Sequence, residues 1–418
     1  MTQQQKLQPV RGTHDLLGEE MRRHRFIMDT ARDVAALYGY GEVSPPIFEF
    51  TDVFHRTLGE TSDVITKETY TFTDRGGESL TLRPEFTASV VRAFISNGLT
   101  QQLPFKAFYA GPAFRYERPQ KGRLRQFHQI GVEMLGADAP RHDVESIACS
   151  AQVLAALGVS DTTLELNSLG DNESRDAYRA ALVEYLQAHR ENLSEESRVR
   201  LEKNPLRILD SKQEQDKAIV ANAPEMREYF TSAATNWFAA VKEGLASLGI
   251  SYIVSPRLVR GLDYYTHTVF EWTSGALGAQ NTLLAGGRYD GLVAQMGGPS
   301  IPGIGWAAGV ERLALMELAR AQKDGKNTVA VIALGESAVP EAMKLAHELR
   351  NSAIAAEVIV HHNIGKALKK ADAIGARFAA LLGDEEIKTA QVSLKNLREG
   401  TQETLAHAVA LAKIKACI

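Results

Sequence analysis

Residues Phe108–Glu133 read FYAGPAFRYERPQKGRLRQFHQIGVE. Two apolar stretches flank a turn that holds Pro119 and Gly122, the pattern of an antiparallel hairpin. Arg115, Arg118, Lys121, Arg123 and Arg125 crowd this turn. The chain carries 47 Lys and Arg against 51 Asp and Glu, a net charge of −4, so it has no general surplus of cations to scatter. The local cluster suggests a gripped polyanion, because arginine's planar fork suits phosphate oxygens. Strand side chains alternate between faces. Read as strand, Phe114–Glu117 puts Arg115 and Glu117 on one face. On the return strand Phe127, Gln129, Gly131 and Glu133 share a face, and His128, Ile130, Val132 and Met134 take the other. One side is apolar and suited to a core. The other offers an aromatic, an amide and a carboxylate, a floor for a flat ring and a cationic amine. The competing reading of this segment alone is a solvated hairpin with a charged loop.

At 418 residues the chain is too long for one ordinary core, and about two to three domains are expected. Hydrophobic content of 44% with 23% charge fits a globular protein. No apolar run approaches the roughly 20 residues of a membrane helix, and the polar start MTQQQKLQPVRGTHD lacks the apolar stretch of a signal peptide. Cys149 and Cys417 form no metal-spaced cluster. They point to a reducing, cytoplasmic setting, and the lack of a membrane-length apolar run argues against a membrane partner. A helix is expected over Arg22–Tyr38, stopped at Gly39. Strands are expected at Thr69–Thr73 and Ser79–Arg83, joined by Asp74-Arg75-Gly76-Gly77. The hairpins argue for an antiparallel sheet with helices around it, not a doubly wound parallel sheet. From Asp171 to about Gly249 the pattern is helical and carries no cluster suggestive of chemistry. Ala321–Asn327 looks like a linker. Beyond it, strands at Thr328–Leu334, Glu357–Val360 and near Ala379–Leu382 alternate with helices, as in a small α/β domain. Its charge is nearly balanced, so charge alone does not argue for RNA binding. Gly303-Ile304-Gly305 with Gly309 loosely matches a dinucleotide fingerprint, but lacks the strand–turn–helix unit and downstream acid that would give it meaning.

The Phe108–Glu133 stretch resembles motif 2 of the class II aminoacyl-tRNA synthetases, in the form typical of the histidyl-tRNA synthetase family. LVRGLDYYTHTVFEW (Leu258–Trp272) resembles that family's histidine-specific signature. AGGRYDGLVAQMGG, from Ala285, and PGIGWAAGVERL, ending at Leu313, resemble its glycine-rich element and motif 3. The match runs in the family's order from about Arg11 to the C-terminus. It implies an α+β fold with a class II antiparallel sheet flanked by helices. The catalytic domain would cover 1–322, interrupted by a helical insertion at 171–249. A linker at 323–327 and an anticodon-binding α/β domain at 328–418 would follow.

The resemblance also implies a two-step ligase reaction. Histidine's carboxylate attacks the α-phosphate of ATP, giving histidyl-adenylate and pyrophosphate, and the terminal ribose of histidine tRNA then takes the histidyl group. Phosphoryl chemistry of this kind needs positioning, cations and Mg²⁺. By the family pattern Arg115 grips the α-phosphate, Glu117 bonds the adenine amino group, Phe127 stacks on the adenine, and Arg123 and Arg312 hold the outer phosphates. Glu85, Thr87 and Gln129 match the residues that hold the α-amino group of histidine. Glu133 and Tyr265, with Tyr289, match those at its imidazole. Arg260 matches a catalytic cation between the carboxylate and the α-phosphate, and no resident metal site is expected. Arg118 and Gln120 match positions facing the tRNA acceptor end. Motif 1 implies a homodimer. The competing function is the synthetase-like regulatory subunit of ATP phosphoribosyltransferase, which lacks the anticodon-binding domain and loses parts of these signatures. One departure stands out: Arg83-Pro84-Glu85-Phe86-Thr87 has Phe86 where the family usually has Gly, and that ring is expected to turn away into a core.

Overall fold

The computed structural model describes residues 7–58, 68–211, 213–259, 264–278, 281–318 and 328–418. The backbone divides into two compact units, 1–319 and 320–418. The strands of the first are β1 (Gly41–Glu42), β2 (Phe48–Phe50), β3 (Tyr70–Thr73), β4 (Ser79–Leu82), β5 (Phe105–Phe114), β6 (Gln126–Leu135), β7 (Thr163–Ser168), β8 (Ile253–Val254), β9 (Thr266–Thr273), β10 (Thr282–Arg288) and β11 (Gly303–Gly309). Eight of them form one sheet in the order β1-β5-β6-β11-β10-β9-β7-β8. The pairs from β5 through to β7 are antiparallel, as the hairpins require. The two-residue strands at both edges run parallel to their neighbours, which makes the whole sheet mixed.

The alternation along β6 sets the layers. Ile130, Val132 and Met134 face a core built with Ile27, Ala31 and Val34 of the helix Gly18–Leu37 and Ile147 and Val153 of the helix Pro140–Ala156. Each fully buried Ile, Val or Met side chain among these contributes about 1.5–3 kcal/mol of apolar burial. A second core holds Val91 and Phe94 of the helix Thr87–Ser96 with Val269, Tyr289 and Leu292. The helical stretch after Gly170 reaches both cores. Tyr178, Leu182 and Leu186 of the helix Asn172–Ala188 join the second, and Val241 and Leu245 of the helix Ser232–Ser247 join the first.

The chain does not continue as strand through Glu117. Arg115 N still donates to Arg125 O, but Tyr116 N donates to Glu68 O and Glu117 N turns back to Arg115 O. The ladder therefore stops at Phe114, and Arg115 and Glu117 are placed by a turn.

The second unit is a five-stranded sheet of β12 (Thr328–Ala333), β13 (Ala355–Val360), β14 (Phe378–Leu382), β15 (Gln391–Asn396) and β16 (Gln402–Ala406), in the order β13-β12-β14-β15-β16. The first three are parallel and joined by helices, as the alternation predicts. The antiparallel β15–β16 hairpin is an addition that the sequence reading lacks.

Candidate active site

β5 pairs with β6 so that Ala113 opposes Phe127, Tyr109 opposes Gly131 and Ala107 opposes Glu133. On the other side of β6, β11 sets Gly305 beside Glu133 and Gly309 beside Gln129. Directly opposed residues share a face, so Phe127, Gln129 and Glu133 lie on the sheet face away from the Ile130–Met134 core. A cleft of about 520 Å³ opens there. Its wall includes Glu85, Arg115, Glu117, Arg123, Phe127, Gln129, Tyr265 and Arg312. Residues singled out from separate stretches of sequence thus meet in one cleft.

One part of the wall is cationic. Arg115 Nε donates to Pro84 O at 2.9 Å, and its guanidinium lies 5.4 Å from the centre of the Phe127 ring. Glu117 stands between two cations, 3.8 Å from Arg115 and 3.4 Å from Arg123. Arg312 Nη1 donates to Thr282 O at 2.6 Å. Burial, and then the like charges of Arg123 and Arg115, lower the Arg312 pKa. Mutual repulsion of this kind marks a site ready to accept negative charge. A Gln120–Arg123 bridge closes the turn, with Gly122 at φ +74°. Arg118 and Gln120 are exposed on that turn.

Next to the cleft lies a buried carboxylate layer. Glu133 is 1% exposed. It accepts from Thr87 Oγ1 at 2.7 Å, from Tyr109 Oη at 3.2 Å and from Tyr289 Oη. Burial pushes its pKa up to about 8, although these three donors pull the other way. A Cβ on Gly305 would collide with the Glu133 carboxylate, so this glycine makes room for that side chain. Glu85, also buried, accepts from Thr87 N at 2.6 Å and Ala88 N at 2.9 Å at the start of the helix Thr87–Ser96. Burial raises its pKa, and those bonds oppose the rise.

Thr87, Glu133 and Tyr289 belong to this layer, not to the cleft wall. Arg260 lies outside the described residues. Tyr264 and Tyr265 precede β9. Both are buried, their rings are 4.7 Å apart, and both line the cleft. The sequence reading missed Tyr109, Tyr264, Arg257 and Glu271 at this site. A signal for Tyr109 existed: the hairpin register sets it opposite Gly131, where a missing side chain leaves space for a ring. Among the described residues, one group of metal-ligating type also occurs elsewhere. His24, His128 and Glu311 bring ligand atoms within 4.8 Å of one another, and Glu311 accepts from His128 N and Nδ1 at 2.9 Å.

The histidyl-tRNA synthetase family profile matches residues 12–313, and an anticodon-binding domain profile matches 328–416. The chain belongs to the histidyl-tRNA synthetase family. A histidine–tRNA ligase of Rhodospirillum rubrum is 57% identical over 404 residues, covering 96% of this chain and 97% of the relative. One of Gluconacetobacter diazotrophicus is 54% identical, covering 96% of each. Among solved structures, the S. aureus histidyl-tRNA synthetase in its apo form superposes with a TM-score of 0.83 at 34% identity, over 98% of this chain and all of that one. A Bacillus halodurans protein described as an ATP phosphoribosyltransferase regulatory subunit/histidyl-tRNA synthetase is similar with a TM-score of 0.62 at 22% identity, over 91% of this chain and 98% of that one. That likeness speaks to the fold alone.

Proposed function

We propose that the chain is a histidine–tRNA ligase that forms histidyl-adenylate from histidine and ATP, then passes histidine to the 3′ end of histidine tRNA. The observation that carries this reading is a single cleft with Arg115, Arg123 and Arg312 on its wall and a carboxylate ringed by hydroxyl donors beside it. Both halves of the first reaction find their complements there.

Arg115 holds the α-phosphate. Its Nε bond to Pro84 O fixes the guanidinium before ATP arrives, which lowers the cost of organising it at the transition state. Glu117 neutralises Arg115 and Arg123 while the site is empty and turns to the adenine amino group when phosphates replace it. Phe127 stacks on the adenine. Arg123 and Arg312 take the outer phosphates. Glu85, Thr87 and Gln129 surround the α-amino group of histidine, and Glu133, Tyr265 and Tyr289 serve its ring. Arg260 is assigned, by family pattern alone, to the space between the histidine carboxylate and the α-phosphate. Mg²⁺ binds through oxygen ligands, one or two carboxylates and the phosphates themselves. Glu271 on the cleft wall fits that donor set, and the ion would neutralise charge building on the pyrophosphate. In the second step a ribose hydroxyl of the tRNA attacks the histidyl carbonyl and AMP leaves, with Arg118 and Gln120 near the acceptor end.

The domain assignment follows the same reading: catalysis in 1–322 around a 171–249 insertion, and anticodon binding in 328–418. A homodimer is supported by the small sheet β2-β4-β3. Phe50, Leu80 and Phe72 stand in one row across it, and Phe48, Leu82 and Tyr70 in the next. Phe48, Phe50 and Phe72 are about half exposed there, at 52%, 59% and 45%, an apolar face of the kind that marks an interaction site. A cytoplasmic location is supported by two free cysteines. No helix among the described residues is long and apolar enough to cross a membrane. Pyrophosphate exchange with histidine and ATP, followed by aminoacylation of histidine tRNA, tests the function. Silence in the exchange assay favours the regulatory alternative.

A further inference from the structure

We propose that Tyr109 is a positioning residue for histidine selection: braced by Phe86, it occupies one acceptor site of Glu133 so that a single site is left for a ligand N–H. This rests on the reading of the cleft as a histidine site.

An ionised carboxylate offers two oxygens and about four acceptor sites. On Glu133, Oε1 takes two O–H donors, Thr87 and Tyr109, and Oε2 takes one, Tyr289. The remaining site is on Oε2. A ligand with one ring N–H completes the set. A primary amide or ammonium would bring more donors than the carboxylate has room for. A purely apolar ring would leave the last site unmet, at a cost in a buried place.

The hydroxyl of Tyr109 is held from both sides. Its ring is fully buried and stacks flat on Phe86, with centroids 4.4 Å apart and planes at 3°. The Arg83 guanidinium lies 3.8 Å from the centre of the Phe86 ring. Arg83 is itself tied by Nε to Pro112 O at 2.8 Å and by Nη1 to Pro45 O at 2.7 Å. The phenol end of Tyr109 lies over Gly131, where any Cβ would strike it. Phe86 follows Glu85 and precedes Thr87, so the brace and two pocket residues belong to one short segment. The bulk that departs from the family's usual glycine thus props the phenol that steers Glu133.

The titratable groups around Glu133, among the described residues, are Glu85 before the helix Thr87–Ser96, Tyr109 on β5, Tyr289 after β10, Tyr264 and Tyr265 before β9, and Tyr40 before β1. Burial pushes the Tyr40, Tyr109, Tyr264 and Tyr289 phenols up, so all four stay neutral, and Tyr109 and Tyr289 donate to Glu133. Glu85 adds like charge and raises Glu133 further. The Tyr109 hydroxyl opposes that rise, so deleting it moves Glu133 upward.

The test is Tyr109→Phe against wild type in histidine-dependent pyrophosphate exchange between pH 6 and 9.5. The expected result is a histidine KM raised by about 10- to 100-fold near neutral pH, the usual effect of removing a donor to a carboxylate. The ATP KM should be unchanged. The pH at which histidine binding tightens should lie higher in the variant than in wild type, because the lost donor opposed the rise of Glu133. Comparison with wild type cancels the ionisations of histidine itself. Phe86→Leu, which keeps apolar bulk but loses the flat stack, should raise histidine KM in the same direction, and it carries the test if Tyr109→Phe does not fold. Profiles of the variants that overlay an active wild type overturn this proposal alone. A wild type without histidine-dependent exchange overturns the functional reading, and this inference with it.

Discussion

Replacing Glu133 by Gln should make the ligand-free protein more stable, by an amount that grows with pH. Glu133 ionises at about 8 in the fold against an ordinary value of 4.5. The native state therefore holds a proton between those values that the unfolded chain has already released. Stability falls wherever the native state binds more protons, so this group costs nothing below pH 4.5, an increasing amount through the interval, and a constant amount above pH 8. At 1.36 kcal/mol per unit, the cost is about 3 kcal/mol at pH 7 and about 5 kcal/mol at pH 9. Gln keeps the shape and carries no charge. Its oxygen can still accept from Thr87 and Tyr109, and the Tyr289 hydroxyl can reverse its role and accept from the amide. Any mismatch in those bonds is a fixed offset that does not vary with pH. The assay is thermal or chemical denaturation of both proteins at half-unit steps from pH 4.5 to 9. The difference between them should widen between 4.5 and 8 and then level off. Two parallel curves across that interval would refute the reasoning. The same variant should lose histidine-dependent exchange, because the last acceptor site has become a donor.

Asp143→Ala should destabilise the first unit by about 3–5 kcal/mol, the usual effect of stripping one partner from a buried ion pair. Asp143 and Arg288 are both fully buried, and Asp143 also accepts from Thr268 Oγ1 at 2.6 Å and Trp237 Nε1 at 2.9 Å. Urea denaturation read by tryptophan fluorescence measures the loss. Arg115→Ala should lower kcat for pyrophosphate exchange by about 100- to 1,000-fold, as for other preorganised donors at a reacting charge, with histidine binding by calorimetry preserved. Phe50→Asp, on the half-exposed row with Leu80 and Phe72, should convert a dimer to monomer in sedimentation while leaving the monomer folded by circular dichroism.

What could be read from sequence was what alternation and turns encode locally. The β6 pattern separated Ile130, Val132 and Met134 from Phe127, Gln129 and Glu133, and the two groups do lie on opposite faces. The Asp74–Gly77 turn was equally local: Asp74 Oδ1 accepts from Gly76 N and Glu78 N at 2.8 and 2.9 Å. The placement of Arg115 and Glu117 was not, because the strand is ended by a bond from Tyr116 N to Glu68 O, a partner that no two-residue pattern reveals. The β15–β16 hairpin was overlooked although Gly400 at φ +74° sits at its turn. Its second strand is nearly all exposed and gives little hydrophobic signal.

The surroundings of Glu133 show where such reasoning stops. Its three donors lie 46, 24 and 156 positions away in the chain. Thr87 and Tyr289 are marked by the family resemblance and Tyr109 by its register opposite Gly131, but alternation and composition within each segment do not separate a pocket hydroxyl from a core one. What joins them is a void. Gly305 and Gly131 lack the Cβ atoms that would fill the space taken by the carboxylate and the phenol. Sequence marks those voids as glycine-rich punctuation, which can be mistaken for a loop that cradles phosphate. In the fold the same glycines are neighbours across two adjacent strands, with Gly305 beside Glu133 and Gly131 opposite Tyr109. A buried carboxylate is tolerated because the sheet omits side chains at these two positions and supplies hydroxyls around them. Glu133 still titrates near 8, so the compensation is incomplete: burial, with the like charge of Glu85 added, outweighs the three hydroxyl donors.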